Sequence, residues 1–123
     1  MKNQCYVFKK KPFEERFAES SKMKELYPDK IPIILDLETS FKSITKYKFL
    51  IPSNLTVAHL LNSIRTIVKL EKEKALFIFV NETIPPVTQV ISNLYNAYSD
   101  PDGFLYVSVA LESVFGCNYK YPL

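Results

Sequence analysis

Apolar residues recur along the chain in two distinct rhythms. Ile31, Ile33, Leu35 and Leu37 alternate with Pro32, Ile34, Asp36 and Glu38, the period of two expected of a strand, with Pro32 near its start. Lys48-Phe49-Leu50-Ile51-Pro52 is a second strand, short enough to be an edge, and the polar stretch from Thr39 to Thr45 joins the two as a hairpin. The rhythm then lengthens. Val57, Leu60, Leu61, Ile64, Ile67 and Val68 keep the i, i+3, i+4, i+7 spacing of an amphipathic helix, and Thr56 stands at its N-cap. Ala75 to Asn81 (ALFIFVN) is a nearly continuous apolar strand, broken by Pro85-Pro86. Val90, Ile91, Leu94, Tyr95 and Tyr98 mark a short helix, and Phe104 to Leu111 a last strand. Between them, Asp100-Pro101-Asp102-Gly103 has proline and glycine where a β-turn wants them.

The N-terminal part is less periodic. Pro12 with Glu14 and Glu15 is the composition of a helical first turn, and Pro28 ends the helix just past Leu26. Phe13, Phe17 and Tyr27 lie along one narrow stripe with Ser20 between them, a modest amphipathic signal. Ahead of Lys9-Lys10-Lys11, the residues Tyr6-Val7-Phe8 suggest a short additional helix. The order helices, strand, strand, helix, strand, helix, strand describes an α+β fold, one sheet covered by the central helix, and a β-grasp is its natural closure.

Composition narrows the chemistry. At 123 residues with 47% hydrophobic and 24% charged positions, the chain is expected to form one domain. Only Gly103 and Gly116 are glycines, so no phosphate-cradling GxGxxG or GxxxxGKS loop can be built. Cys5, Cys117 and the single histidine, His59, cannot compose a zinc site, and no cofactor is expected. His59 lies on the polar side of the central helix, with nothing to complete a thiol enzyme. The net charge of +3 comes from a basic front, with eight Lys/Arg against five Asp/Glu in residues 1–30, and lacks the arginine runs of a nucleic-acid binder. An RNA-binding sheet would also need an open aromatic face, where the helix from Val57 to Val68 should lie. No apolar run approaches membrane-spanning length and the first residues lack a signal-peptide core, so the chain is expected in the cytosol with reduced thiols.

Several short motifs occur together in a set order: Pro12-Phe13-Glu14, Tyr27-Pro28-Asp29-Lys30-Ile31-Pro32, Lys48-Phe49-Leu50-Ile51-Pro52-Ser53, Leu55-Thr56-Val57, Phe79-Val80-Asn81, Ile84-Pro85-Pro86, Asp102-Gly103-Phe104-Leu105-Tyr106 and Phe115-Gly116. From about Pro12 to Gly116 the chain thereby resembles the autophagy ubiquitin-like modifiers, the GABARAP and light-chain-3 family. The resemblance implies a ubiquitin-like β-grasp with two additional N-terminal helices. Its implied divisions are an N-terminal helical extension over 1–28, the ubiquitin-like domain over 29–116, and a tail, 117–123, removed by processing.

In function the resemblance implies a substrate of enzymes rather than an enzyme. A processing cysteine protease would cut after Gly116, and ubiquitin-like activating and conjugating enzymes would join the new carboxylate to phosphatidylethanolamine. The protein would be cytoplasmic when free and on autophagosome and cytoplasmic vesicle membranes when lipidated, with no nucleic-acid partner. Cargo receptors and adaptors would dock aromatic-x-x-aliphatic motifs against the second strand. Carried over by position, Glu19, Met23, Pro32, Ile34, Lys48, Leu50 and Phe104 form an aromatic pocket. Phe49, Ile51, Pro52, Leu55 and Leu60 form an aliphatic one, and Lys30, Lys46 and Lys48 meet the acids flanking the motif. Leu50 and Phe104 are then expected to be partly exposed. By their own pattern Ile34, Leu50 and Leu60 read as core, and Gly116 as a terminator of the last strand. Ser63 and Ile67 depart from the apolar and basic residues usual in the family. The alternative reading is a ubiquitin-like interaction module in vesicle trafficking that is never conjugated.

Overall fold

The computed structural model describes residues 8–37, 48–69 and 75–111. Its strands are β1 (Lys30–Leu37), β2 (Lys48–Pro52), β3 (Leu76–Phe79) and β4 (Leu105–Leu111), and its helices α1 (Phe13–Leu26), α2 (Val57–Val68) and α3 (Ile91–Tyr98). The strands form one sheet in the order β2-β1-β4-β3. β1 and β2 pair antiparallel as the hairpin expected from the sequence, with Ile31 opposite Ile51 and Ile33 opposite Phe49. The central pair, β1 and β4, is parallel. This is the β-grasp plan, with a helix crossing one face of a mixed sheet. Phe8 and Lys9 are helical ahead of α1; the rest of the additional helix expected around Tyr6 lies outside the described residues.

Alternation along the strands sorts the sheet into two faces. Ile31, Ile33 and Leu35 of β1, Leu105, Val107 and Val109 of β4, and Leu76 and Ile78 of β3 are buried in one cluster with Val57, Leu60 and Ile64 of α2 and Ile91 and Leu94 of α3. α2 therefore buries the stripe its spacing predicts. Its start is fixed by a reciprocal cap, in which the Thr56 N–H donates to His59 Nδ1 at 3.2 Å, so the lone histidine serves the helix terminus. β3 is shorter than the apolar run suggests. Only one side of it is buried and Phe77 is exposed. The chain then reverses through Asn81 and Glu82, both with positive φ, while Val80 and Thr83 exchange backbone hydrogen bonds.

α1 does not use its aromatic stripe for packing. Phe13 and Phe17 are 43% and 50% exposed, stacked on one another with centroids 5.9 Å apart, whereas Ser20 is 1% exposed. The face turned to the protein carries Arg16, Glu19, Ser20 and Met23, and it is fastened by polar contacts. The Ser20 hydroxyl donates to the carbonyl of Asp102 at 2.5 Å, and Arg16 Nη1 donates to Asp102 Oδ2 at 2.6 Å. Asp102 belongs to the expected turn, closed by the Gly103 N–H donating to the Asp100 carbonyl at 2.8 Å. Gly103 has φ +92°, and a Cβ there would run into the Ser20 side chain, so two conditions require glycine at once.

Opposite stability effects are expected on the two sides of α1. Phe17→Ser should shift unfolding free energy by less than about 0.5 kcal/mol, as surface changes do. Ser20→Ala, which strips the buried Asp102 carbonyl of a donor, should cost about 1–3 kcal/mol. Denaturant unfolding of both variants checks the assignment; a larger loss for Phe17→Ser would contradict it.

Candidate functional site

β2 has a strand on one side only, so among the described residues its outer edge is unpaired. Such an edge can accept an extended chain as a further strand. The residues of β2 divide between the two faces of the sheet. Phe49 packs against the cluster under α2, with Ile51 inside it. Lys48, Leu50 and Pro52 lie on the opposite face, beside Ile34, Pro32 and Lys30 of β1 respectively. Ile34 is in turn level with Tyr106 of β4, two residues past Phe104 on the same face.

Most of each expected pocket set gathers on its own side of the edge, but Pro52, expected in the aliphatic pocket, lies beside Lys30 on the face of Leu50 because it follows Ile51 in the alternation. Pro32, Ile34, Lys48, Leu50 and Phe104 share the α1 face, and Glu19 of α1 reaches it, because Lys48 Nζ donates to Glu19 Oε2 at 2.6 Å. Phe49 and Ile51 share the α2 face with Leu60, and Leu55 packs against the same cluster. Leu55 is fixed where β2 leads into α2, its carbonyl accepting the Ile91 N–H at 2.8 Å.

Burial separates the residues that line the groove from those beneath it. Leu50, Met23, Phe49, Pro52 and Leu55 are half-buried and can meet a ligand. Pro32, Ile34, Ile51 and Leu60 are buried and shape the pockets from below. Phe104 departs from the partial exposure expected of it, since it is only 2% exposed. The reason is Phe8, whose ring packs edge-to-face on Phe104 with centroids 5.1 Å apart. Nothing in the local spacing ahead of Pro12 signals that contact.

The charges at the groove are already engaged. Glu19 bridges Lys48 and, at 3.4 Å, Lys11. Partial burial alone would raise the Glu19 carboxyl, but the hydrogen bond and charge of Lys48, helped by Lys11, hold it below the ordinary carboxylate range. An acid brought to Lys48 would therefore have to compete with Glu19. Lys30 is exposed, its ammonium 6.0 Å from the Tyr27 ring centroid. Lys46 lies outside the described residues, as do Gly116 and the tail from Cys117.

Asp102, missed as a site residue by the sequence reading, holds this wall in place. It has no exposed surface, and its carboxylate accepts from Arg16, from the Tyr106 hydroxyl at 2.5 Å and from the Phe104 N–H at 2.9 Å. Burial and donation to Asp102 push the Tyr106 phenol well above its ordinary value, so it stays a donor. Among the described residues no group of His, Cys, Asp and Glu is placed to hold a metal ion.

Comparison with known proteins agrees with this architecture. The family model described as autophagy protein Atg8, ubiquitin-like, matches residues 15–116. Autophagy-related protein 8a of Arabidopsis thaliana is 41% identical over 107 residues, covering 85% of this chain and 88% of that one. Autophagy-related protein 8 of Coccidioides immitis is likewise 41% identical, with 85% and 92% covered. The crystal structure of Trypanosoma brucei ATG8 superposes with a TM-score of 0.75 at 37% identity, covering 83% of this chain and 90% of that one. Plasmodium falciparum Atg8, in complex with a Plasmodium falciparum Atg3 peptide, gives 0.75 at 28% identity, with 85% and 94% covered. A mixed four-stranded sheet with its crossing helix, a polar-anchored helix before it and a family match over most of the length lead to one conclusion: the chain belongs to the Atg8 family of ubiquitin-like autophagy proteins.

Proposed function

We propose that this chain is a ubiquitin-like modifier joined through Gly116 to phosphatidylethanolamine, and that it recruits cargo receptors and adaptors by strand addition to β2. The observation that carries the peptide-capture part is the division of β2 between two faces. Side chains three apart on an extended peptide point to opposite sides of its strand. An aromatic-x-x-aliphatic motif laid along the free edge therefore sends its aromatic residue toward Leu50, Met23 and Lys48, and its aliphatic residue toward Phe49 and Leu55. The spacing of the motif and the pleat of the sheet match without any distortion of β2. A relative solved with an Atg3 peptide supports peptide docking in this family.

Conjugation rests on Phe115-Gly116 followed by Cys117 to Leu123. A processing cysteine protease hydrolyses the bond after Gly116 and frees its carboxylate. Adenylation activates that carboxylate, two enzyme thiols carry it in turn as a thioester, and the ethanolamine nitrogen displaces the last thiolate to form an amide. Glycine suits every step, because without a Cβ it threads a narrow protease slot and offers an unhindered acyl carbon. The lipid brings two acyl chains, enough for stable anchoring, so the free form is cytoplasmic and the conjugate sits on autophagosome and vesicle membranes.

Two experiments test the two halves. Gly116→Ala is expected to melt at the native temperature, since β4 ends at Leu111, yet to remain entirely off membranes in cells. Normal membrane attachment by that variant would refute conjugation through Gly116. For peptide capture, Leu50→Ala should lose about 2 kcal/mol of affinity for an acidic aromatic-x-x-aliphatic peptide with a modest effect on unfolding. Ile64→Ala, fully buried on the inward face of α2, should lose about 2–5 kcal/mol of stability and keep its affinity. Calorimetric binding and denaturant titration on both variants decide it, and a Leu50→Ala protein that binds normally would remove the groove.

A further inference from the structure

The aromatic pocket is occupied by the chain itself. Phe8 is 1% exposed and forms, with Ile34 and Phe104, a small apolar cluster separate from the main core, with Tyr106 packed against it. Besides its edge-to-face contact with Phe104, its ring lies 6.5 Å from that of Tyr106. Lys48 Nζ and Lys11 Nζ each lie 5.3 Å from the Phe8 ring centroid, and Glu19 ties the two ammonium groups together above it. Glu19, Ile34, Lys48 and Phe104 are all members of the pocket expected to receive a ligand's aromatic residue. A ring with the chemistry of that ligand already sits among them, under a lid of one carboxylate and two cations.

The surroundings of Phe8 suit it for release. The main core, from Ile31 to Val109, lies on the other face of the sheet and does not include Phe8, so withdrawing its ring uncovers Phe104 and Ile34 without opening that core. The contacts that hold the neighbouring residue, Lys9 to Asp100 at 3.2 Å and Lys9 over the Tyr106 ring at 4.4 Å, involve a well-exposed ammonium. Surface ion pairs of this kind contribute little. A peptide acid that draws Lys48 away from Glu19 removes one cation from above the Phe8 ring and loosens the lid.

We propose that Phe8 is an intramolecular competitor for the aromatic pocket, which an incoming aromatic residue must displace before it can seat on Phe104 and Ile34. The inference rests on the peptide-capture reading and adds regulation to it. Affinity is set by the difference between two aromatic burials rather than by one, so ligands whose aromatic residue is poorly buried are rejected. Anything that pulls residue 8 away from the sheet raises affinity for every ligand of the groove.

The test uses the full chain and an acidic peptide of the form Phe-x-x-Leu containing no tryptophan. Phe8→Ala, which empties the pocket, should bind this peptide roughly tenfold or more tightly than the native chain. The chain contains no tryptophan, so Phe8→Trp places its only indole in the pocket, excited selectively at wavelengths the eight tyrosines do not absorb. Its emission should be that of a buried indole in the free protein and shift to the red on saturation with peptide. Peptide binding with no gain for a folded Phe8→Ala protein, or with no change in the emission of Phe8→Trp, would overturn the competitor while leaving peptide capture in place. Should Phe8→Ala fail to fold, the Phe8→Trp emission decides alone. Absence of binding by the native chain and both variants would instead overturn the peptide-capture reading, and this inference with it.

Discussion

A carboxylate with no exposed surface, Asp102, joins the N-terminal helix to the sheet, and the geometry of the groove depends on it. Arg16, the Tyr106 hydroxyl and the Phe104 N–H satisfy its two oxygens, while its own carbonyl accepts from Ser20. These partners come from three parts of the architecture: Arg16 and Ser20 from α1, Tyr106 from β4 and Phe104 from the end of the turn before it. A buried ion pair is no general source of stability, but removing one partner leaves an uncompensated charge in a dry site, at a cost of about 3–5 kcal/mol. α1 can therefore leave Phe13 and Phe17 in water and still be held at one position and one rotation. That rotation is what turns Glu19 and Met23 toward β2.

The second constraint is the pleat. One alternation along β2 supplies both the core and the groove, since Phe49 and Ile51 face α2 while Lys48 and Leu50 face α1. In the proposed peptide capture a ligand strand would obey the same period of two, and a three-residue spacing would span the edge. The two pockets are not alike. The aliphatic side is an outcrop of the main core, rigid by packing, whereas the aromatic side overlies a satellite cluster roofed by Lys11, Lys48 and Glu19. Selectivity by charge and by competition would, in the proposed peptide capture, arise on the second.

Most of the sheet was legible because its determinants are local. The alternation of Ile31, Ile33 and Leu35, the spacing from Val57 to Val68 and the turn chemistry of Asp100 to Gly103 each carry their own signal, and each element formed where that signal placed it. What escaped depends on partners far along the chain. Ser20 reads as an interruption of an aromatic stripe until it is seen to donate to a carbonyl 82 residues away. Phe104 reads as a partly exposed residue until Phe8 is found lying on it. The reversal at Asn81 and Glu82 was also missed, for it forms without the glycine that usually marks two successive positive φ angles. Motif resemblance grouped residues that mostly share a face, Pro52 excepted, but it could not tell floor from rim, because burial is decided by what folds over them.

The claim that a polar anchor, rather than apolar packing, positions α1 is tested most directly by residue-resolved amide hydrogen exchange on Asp102→Asn. This substitution keeps the shape of the side chain and removes its charge. If the anchor acts as described, amides from Phe17 to Lys24 lose protection selectively, opening without the rest of the fold, while those of β1 and β4 exchange as in the native protein. Undiminished protection across α1, or an equal loss over helix and sheet, would contradict it.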